Sequence, residues 1–214
     1  MNKNELVRIL KEKYPNNNSL ELFEILDRQD FIPGTHASHA YENKNISIGH
    51  FQHSLAPEII IEFLNLLNLK SNDNTLEIGS GSGYLTACVY KKIIPGNIIT
   101  IERIKELCSL TKKNLTKKFP KAIENKKIRI FWENGLLSPN KFLSETFDKI
   151  YITFDTDDKL NLDNFINLLK KEGIIVFVSK NKIYSYTKGG RGKPFLIEEK
   201  EIKFKIDPGK SGKC

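Results

Sequence analysis

Between residues 75 and 179, short β-branched or apolar runs alternate with longer stretches whose apolar residues recur at helical spacing. The strand-like runs are residues 75–78, 97–101, 127–131, 147–153 and 173–179, and the helical stretches between them cover 84–92, 104–119 and 160–171. A chain that alternates in this way predicts a mostly parallel sheet with helices on its faces. A helix-like run over 59–67 precedes the series. After residue 179 the pattern is strand only, at about 182–187 and 195–206, joined by the turn Gly189-Gly190-Arg191-Gly192.

The first thirty residues predict two amphipathic helices, one carrying Leu6, Ile9 and Leu10, the other Leu22, Phe23, Ile25 and Leu26. Asn16, Asn17 and Asn18 separate them, and Asn18 followed by Glu21 has the spacing of a capping box, which places a helix start there. Residues 31–57 show little periodicity and carry Pro33, Gly34 and Gly49, so a long irregular segment is expected; such loops are often functional.

At 214 residues the chain suits one domain: an N-terminal helical extension with a substrate-side loop (1–70), a cofactor-binding core (71–179), and C-terminal strands with a basic tail (180–214). With 39% hydrophobic and 28% charged residues it has an ordinary globular composition. No apolar stretch at the start resembles a signal peptide or membrane span, which leads to the expectation of a cytoplasmic, monomeric protein. Cys88, Cys108 and Cys214 are odd in number and widely spaced, as reduced thiols are. The net charge of +8 is concentrated late, with ten Lys or Arg against four acids from Lys180 onward. That basic surface could meet an acidic or RNA-containing partner. His36, His39, His50 and His53 form two i,i+3 pairs without an accompanying cysteine and are read as polar loop residues rather than zinc ligands. Trp132 is expected in the core.

The chemistry is carried by Leu76-Glu77-Ile78-Gly79-Ser80-Gly81-Ser82-Gly83-Tyr84, a glycine-rich loop directly after a strand and before a helix. Backbone without side chains can approach a nucleotide-like ligand there. A dinucleotide fingerprint would need glycine where Tyr84 stands, and no Gly-Lys-Ser/Thr follows to make a phosphate loop. What remains is the E-x-G-x-G-x-G pattern of S-adenosyl-L-methionine-dependent methyltransferases. Glu102 ends the next strand, where a carboxylate can take both hydroxyls of a ribose. Trp132-Glu133-Asn134-Gly135 follows the third strand, where the resemblance to methyltransferases implies the adenine edge is bound.

Over residues 27–204 the chain resembles the protein-L-isoaspartate O-methyltransferase family. The resemblance rests on Asp27-Arg28 with Phe31-Ile32-Pro33, Ala40-Tyr41-Glu42, Ile48-Gly49 with Gln52, Ala56-Pro57, the glycine loop through Ala87, Ile101-Glu102-Arg103, Phe147-Asp148-Lys149-Ile150, and Leu168-Leu169-Lys170 before Gly173. It implies a class I, Rossmann-like α/β methyltransferase acting on the α-carboxylate of isoaspartyl residues. It further implies that Glu77, Gly79, Ser80, Gly81, Glu102, Arg103, Asn134 and Gly135 line the cofactor site, flanked by Ala56 and Pro57.

Three departures bear on the substrate side. The family's Thr-Ile-Ser stands where this chain has His53-Ser54-Leu55, so Leu55 takes the serine position and Ser54, one place early, is the candidate catalytic residue. The segment Phe154-Asp155-Thr156-Asp157-Asp158 replaces a small, alanine-rich stretch and is expected to bring bulk and negative charge against a substrate carboxylate. The family's C-terminal segment has no equivalent in Lys205-Ile206-Asp207-Pro208. The first reading is methylation of isoaspartyl proteins or peptides; others are a silent methyltransferase-fold binding protein and a methyltransferase for a different carboxylate.

Overall fold

The computed structural model describes residues 1–157, 160–190, 192–202 and 206. Two helices open the chain, α1 (Lys3–Lys13) and α2 (Glu21–Ile25). A capping box does start a helix, but it lies at α1, where the Asn2 side chain accepts from the Glu5 N–H and Glu5 reaches back to the Asn2 N–H. The expected box at Asn18 and Glu21 is absent: Asn17 caps the turn locally, and the Asn18 carbonyl and amide oxygens both accept from Lys92. A remote lysine offered a charged donor, and it prevailed over the local pattern.

The irregular segment contains two short 3₁₀ helices, the one-turn Arg28–Phe31 and the two-turn Gly34–His39, and a small antiparallel hairpin of β1 (Ile46–Gly49) and β2 (Gln52–Ser54). Then follow α3 (Pro57–Leu67), β3 (Asn74–Ile78), α4 (Tyr84–Ile93), β4 (Asn97–Glu102), α5 (Lys105–Lys118), α6 (Pro120–Glu124) and β5 (Ile128–Trp132). The chain continues as β6 (Phe147–Asp155), α7 (Leu162–Leu168), β7 (Leu169–Ser179), β8 (Lys182–Lys188) and β9 (Pro194–Glu201). Proline at the first turn of α3 and left-handed Asn68 at its end mark that helix as sequence rules anticipate.

The seven-stranded sheet has the order β5-β4-β3-β6-β7-β8-β9, with β3 to β7 parallel and β8 and β9 antiparallel. Both faces of its middle are covered. On β7, Val176 and Val178 join a core with Leu10, Phe63 and Val89, while Ile175 and Phe177 join another with Leu76, Ile101 and Phe165. Central strands are therefore apolar on both sides and read as continuous runs. β9, by contrast, is exposed along nearly its whole length.

The expected helix over 160–171 is shorter than its pattern suggests. Leu169 already pairs with Phe147 in the parallel ladder, and the Lys170 ammonium holds Asp148 at 2.8 Å. The register then shifts, with Glu172 at φ 61° and Gly173 placed where a Cβ would lie 2.9 Å from the Lys170 carbonyl. A bulge at the head of the strand absorbed residues whose periodicity looked helical.

Candidate functional site

Strand order reverses between β3 and β6: the chain moves outward through β4 and β5, then returns to the other side of β3. Open α/β sheets bind ligands at the carboxyl ends of strands at such a point. Here a cavity of about 460 Å³ lies there, within the usual range for small-molecule sites.

Its floor is the glycine loop. Gly79 has φ 95°, and a Cβ on it would lie 2.6 Å from Thr153 Oγ1, whose hydroxyl donates to the Gly79 carbonyl. Gly81 has φ 57° and would meet the Ile48 side chain of the β1–β2 hairpin at 3.2 Å. Only glycine fits both the backbone and the space, so the loop offers bare backbone to the cavity. The Gly81 N–H donates to Glu102 Oε2 at 3.0 Å, and the Ile104 N–H donates to Oε1 at 2.9 Å. The loop and the acid 21 residues apart are thus one hydrogen-bonded unit. Burial pushes the Glu102 carboxyl up, and these backbone donors oppose the shift. Each oxygen keeps a lone pair for a ligand hydroxyl.

Glu77 reaches the cavity wall, but its Oε2 accepts from the Thr86 and Thr100 hydroxyls. It is wholly buried, and burial raises its pKa to about 7 against the pull of those hydroxyls. Its main effect is to brace β3 against α4 and β4. Asn134 and Gly135 close another side. The Asn134 amide oxygen accepts from the Leu136 N–H, and a Cβ on Gly135 would stand 2.4 Å from Ile78. Arg103 lies on the same wall, its carbonyl accepting from the Trp132 indole at 3.0 Å.

The opposite wall comes from the hairpin and from α7. Ser54 and Leu55 both line the cavity and are 7% and 9% exposed. The Ser54 hydroxyl makes no hydrogen bond to a described residue, and Leu55 contributes only hydrocarbon. Asn161 and Asn164, at the start of α7, complete this side together with Phe154 and Ile206.

A family model described as Protein-L-isoaspartate(D-aspartate) O-methyltransferase (PCMT) matches residues 1–187. The chain belongs to this family. A protein-L-isoaspartate O-methyltransferase of Dictyoglomus thermophilum is 31% identical over 186 residues, covering 85% of this chain and 78% of that protein. One from Methanococcus aeolicus is 35% identical over 150 residues, 70% of this chain; the match spans 65% of that relative's length. In fold, the chain is similar to a Plasmodium falciparum protein-L-isoaspartate O-methyltransferase solved with S-adenosyl-L-homocysteine, at TM-score 0.79 and 20% identity over 96% of this chain and 98% of that one.

Of the eleven residues expected at a PCMT-type site, nine line the cavity: Ser54, Glu77, Gly79, Ser80, Gly81, Glu102, Arg103, Asn134 and Gly135. Ala56 and Pro57 do not. Ala56 is completely buried with its N–H donated to Asn45, and Pro57 is buried at the start of α3. Of the negative charge expected from the 154–158 segment, that of Asp155 is directed elsewhere. Asp155 accepts from the N–H groups of Asp157, Lys180 and Asn181, and of this segment's described residues only Phe154 lines the cavity. Asp158 lies outside the described residues, as do Arg191, Lys205, Asp207, Pro208 and Cys214. Trp132 is 55% exposed on the edge strand β5, with the Lys105 ammonium 5.1 Å from its ring centroid, and is not a core residue.

Sequence reasoning missed Asn161, Asn164, Thr153 and Ile206. Thr153 lies near the carboxyl end of β6 and Asn161 and Asn164 follow it, so the switch-point rule could have found them once the strand order was guessed. Ile206 carries no local signal at all.

Proposed function

We propose that this protein is an S-adenosyl-L-methionine-dependent methyltransferase that esterifies the α-carboxylate of isoaspartyl residues in proteins and peptides. The carrying observation is the bond from the Gly81 N–H to Glu102, because it joins a bare-backbone loop and a ribose-type acid in one cavity wall. The residues fit the cofactor: a cradle that a Cβ would fill, two carboxylate oxygens with spare lone pairs, and an apolar flank of Ile78, Ile101 and Leu136. Glu102 would hold the ribose hydroxyls, Gly79, Ser80 and Gly81 with Glu77 beneath them the methionine part, and Arg103, Asn134 and Gly135 the adenine end. When bound, the cofactor supplies an electrophilic methyl group.

What remains for the chain is placement. An α-carboxylate, with a pKa of about 3.5, is ionised at neutral pH and needs no base. Rate therefore depends on aligning it and excluding water. The Ser54 hydroxyl, free of described partners, is the catalytic-side donor in this reading. Leu55, at the family's serine position, supplies only a shaped apolar surface.

An isoaspartyl peptide incubated with labelled cofactor tests the proposal. Methyl ester on that peptide, and none on its aspartyl counterpart, is the expected result. No ester at saturating cofactor, with S-adenosylhomocysteine still bound, would instead favour the silent binding module that Leu55 suggests.

Narrower readings accompany this one. The three parts 1–70, 71–179 and 180–214 work as a single domain, and the protein acts as a cytoplasmic monomer. Among the described residues no helix is long and apolar enough to cross a membrane. The basic excess after Lys180 motivates an acidic or RNA-containing partner, which salt-dependent association at low ionic strength would test.

A further inference from the structure

Residues 40–55 form much of the substrate-side wall, yet their only regular structure is a four-residue strand and a three-residue strand. A single buried side chain, from a different segment, ties them together. Arg28 is 2% exposed, and its Nη1 donates to the carbonyls of Ala40 at 3.0 Å and Glu42 at 3.1 Å. Its Nη2 donates to the carbonyls of Lys44 at 3.2 Å and Leu55 at 2.8 Å, with the Ser54 carbonyl at 3.5 Å. Among the described residues no carboxylate pairs with it. Burial lowers its pKa to about 10, so it stays cationic at neutral pH. A buried charge without a counter-ion is costly and persists only where hydrogen bonds compensate. Here the planar fork spans carbonyls spread over sixteen positions, which a point-charge ammonium cannot do.

The segment that carries Arg28 also touches the cofactor side. Phe31, in the same one-turn helix, packs edge-on against Tyr84 with ring centroids 5.3 Å apart. The Tyr84 hydroxyl donates to the Leu26 carbonyl at 3.3 Å. Tyr84 is the first residue of α4, directly after Gly83, and is among the residues lining the cavity. Residues 26–31 are therefore clamped between the glycine loop's helix and the carbonyls of Ser54 and Leu55.

We propose that Arg28 is a positioning residue for methyl transfer: without touching cofactor or substrate, it fixes the Ser54–Leu55 wall relative to the glycine loop and so sets the alignment of the acceptor carboxylate. This rests on the methyltransferase reading above. Displacement of such a wall by about 1 Å costs on the order of 10²-fold in rate. Cofactor affinity depends on Gly79–Gly81 and Glu102, which Arg28 does not contact, and is preserved.

The test compares the parent chain with Arg28→Lys in three measurements: S-adenosylhomocysteine binding by calorimetry, kcat and KM with an isoaspartyl peptide, and amide hydrogen exchange. The expected result for Arg28→Lys is a dissociation constant within about threefold of the parent, kcat/KM lower by on the order of 10²-fold, and lost protection confined to residues 40–55. Tyr84→Phe removes the hydroxyl bond to Leu26 at the other end of the clamp while leaving the ring against Phe31 and the guanidinium in place, and serves if Arg28→Lys does not fold. It is expected to lower kcat/KM by several-fold, with peptide KM and kcat changing more than cofactor affinity. Parent-like turnover in a folded variant overturns the proposal, and so does a loss of cofactor affinity parallel to the loss of rate. If the parent forms no ester at all, the function reading fails separately. Exchange and calorimetry then still decide whether Arg28 orders 40–55 independently of the glycine loop.

Discussion

Replacing Glu102 by glutamine probes the joint between the glycine loop and the acid with almost no change in shape. The carboxylate accepts from both Gly81 and Ile104 N–H groups, one on each oxygen. Glutamine has one oxygen, so one of these N–H groups must face an NH₂ group, donor against donor. An unmet buried donor costs about 1–3 kcal/mol, and hydrogen bonds from ribose hydroxyls to a neutral amide are each weaker by about 1 kcal/mol than to a carboxylate. Glu102 is only 7% exposed, so water screens little of this. The unmet donor is there with or without ligand and so weakens the fold, whereas the two weaker ribose bonds lower affinity by about 2 kcal/mol, or roughly 30-fold. Calorimetry of S-adenosylhomocysteine with parent and Glu102→Gln measures it, with urea unfolding run in parallel to report the part that weakens the fold. A dissociation constant within threefold of the parent, in a folded variant, would refute the assignment of Glu102 to the ligand.

Leu55→Ser restores a hydroxyl at the position the family uses. We expect kcat/KM on an isoaspartyl peptide to rise by on the order of 10²-fold, at a stability cost of about 2 kcal/mol, the low end for buried leucine because one side of it already faces the cavity; unchanged turnover would show that the wall is already catalytically complete. Glu77→Gln tests the buried acid through pH. Its pKa in the fold, about 7, exceeds the ordinary 4.5, so the folded state keeps a proton that the unfolded chain has released, and stability falls as pH rises between these values. The loss is about 3 kcal/mol in full and is complete above pH 7. Urea midpoints of the parent, relative to Glu77→Gln, should decline across that window and then level, and parallel curves at all pH values would contradict a raised carboxyl.

The features visible in the sequence were those whose cause is local. The loop at Gly79–Gly83 needs glycine for its own backbone, and Glu102 stands at a strand end, so both can be read from a few adjacent residues. The central strands were legible because burial on both faces leaves uninterrupted apolar runs. The head of β7 was not, because Leu169 is recruited by Phe147, which is remote in sequence. Trp132 looks like a core residue until β5 is known to be an edge strand. Arg28 is the extreme case: its partners are backbone carbonyls 12 to 27 residues away, and carbonyls leave no trace in residue identity. The orientation of Asp155 was hidden for a similar reason, since it answers the N–H groups of a turn 25 residues further on.

The outer strand β9 has a consequence for how the protein behaves in bulk. Phe195 and Ile197 are 70% and 52% exposed, on the last strand of the sheet among the described residues. A rim of this type invites another chain to add its own strand, the first step of fibrous self-association. Glu198, Glu199, Lys200 and Glu201 follow at once, and Lys200 is tethered to Glu62 at 2.7 Å. These charges act as gatekeepers: like-charged rims repel, and the tether keeps the strand against its own molecule. Four side chains that have no part in the chemistry thus guard the rim against strand addition.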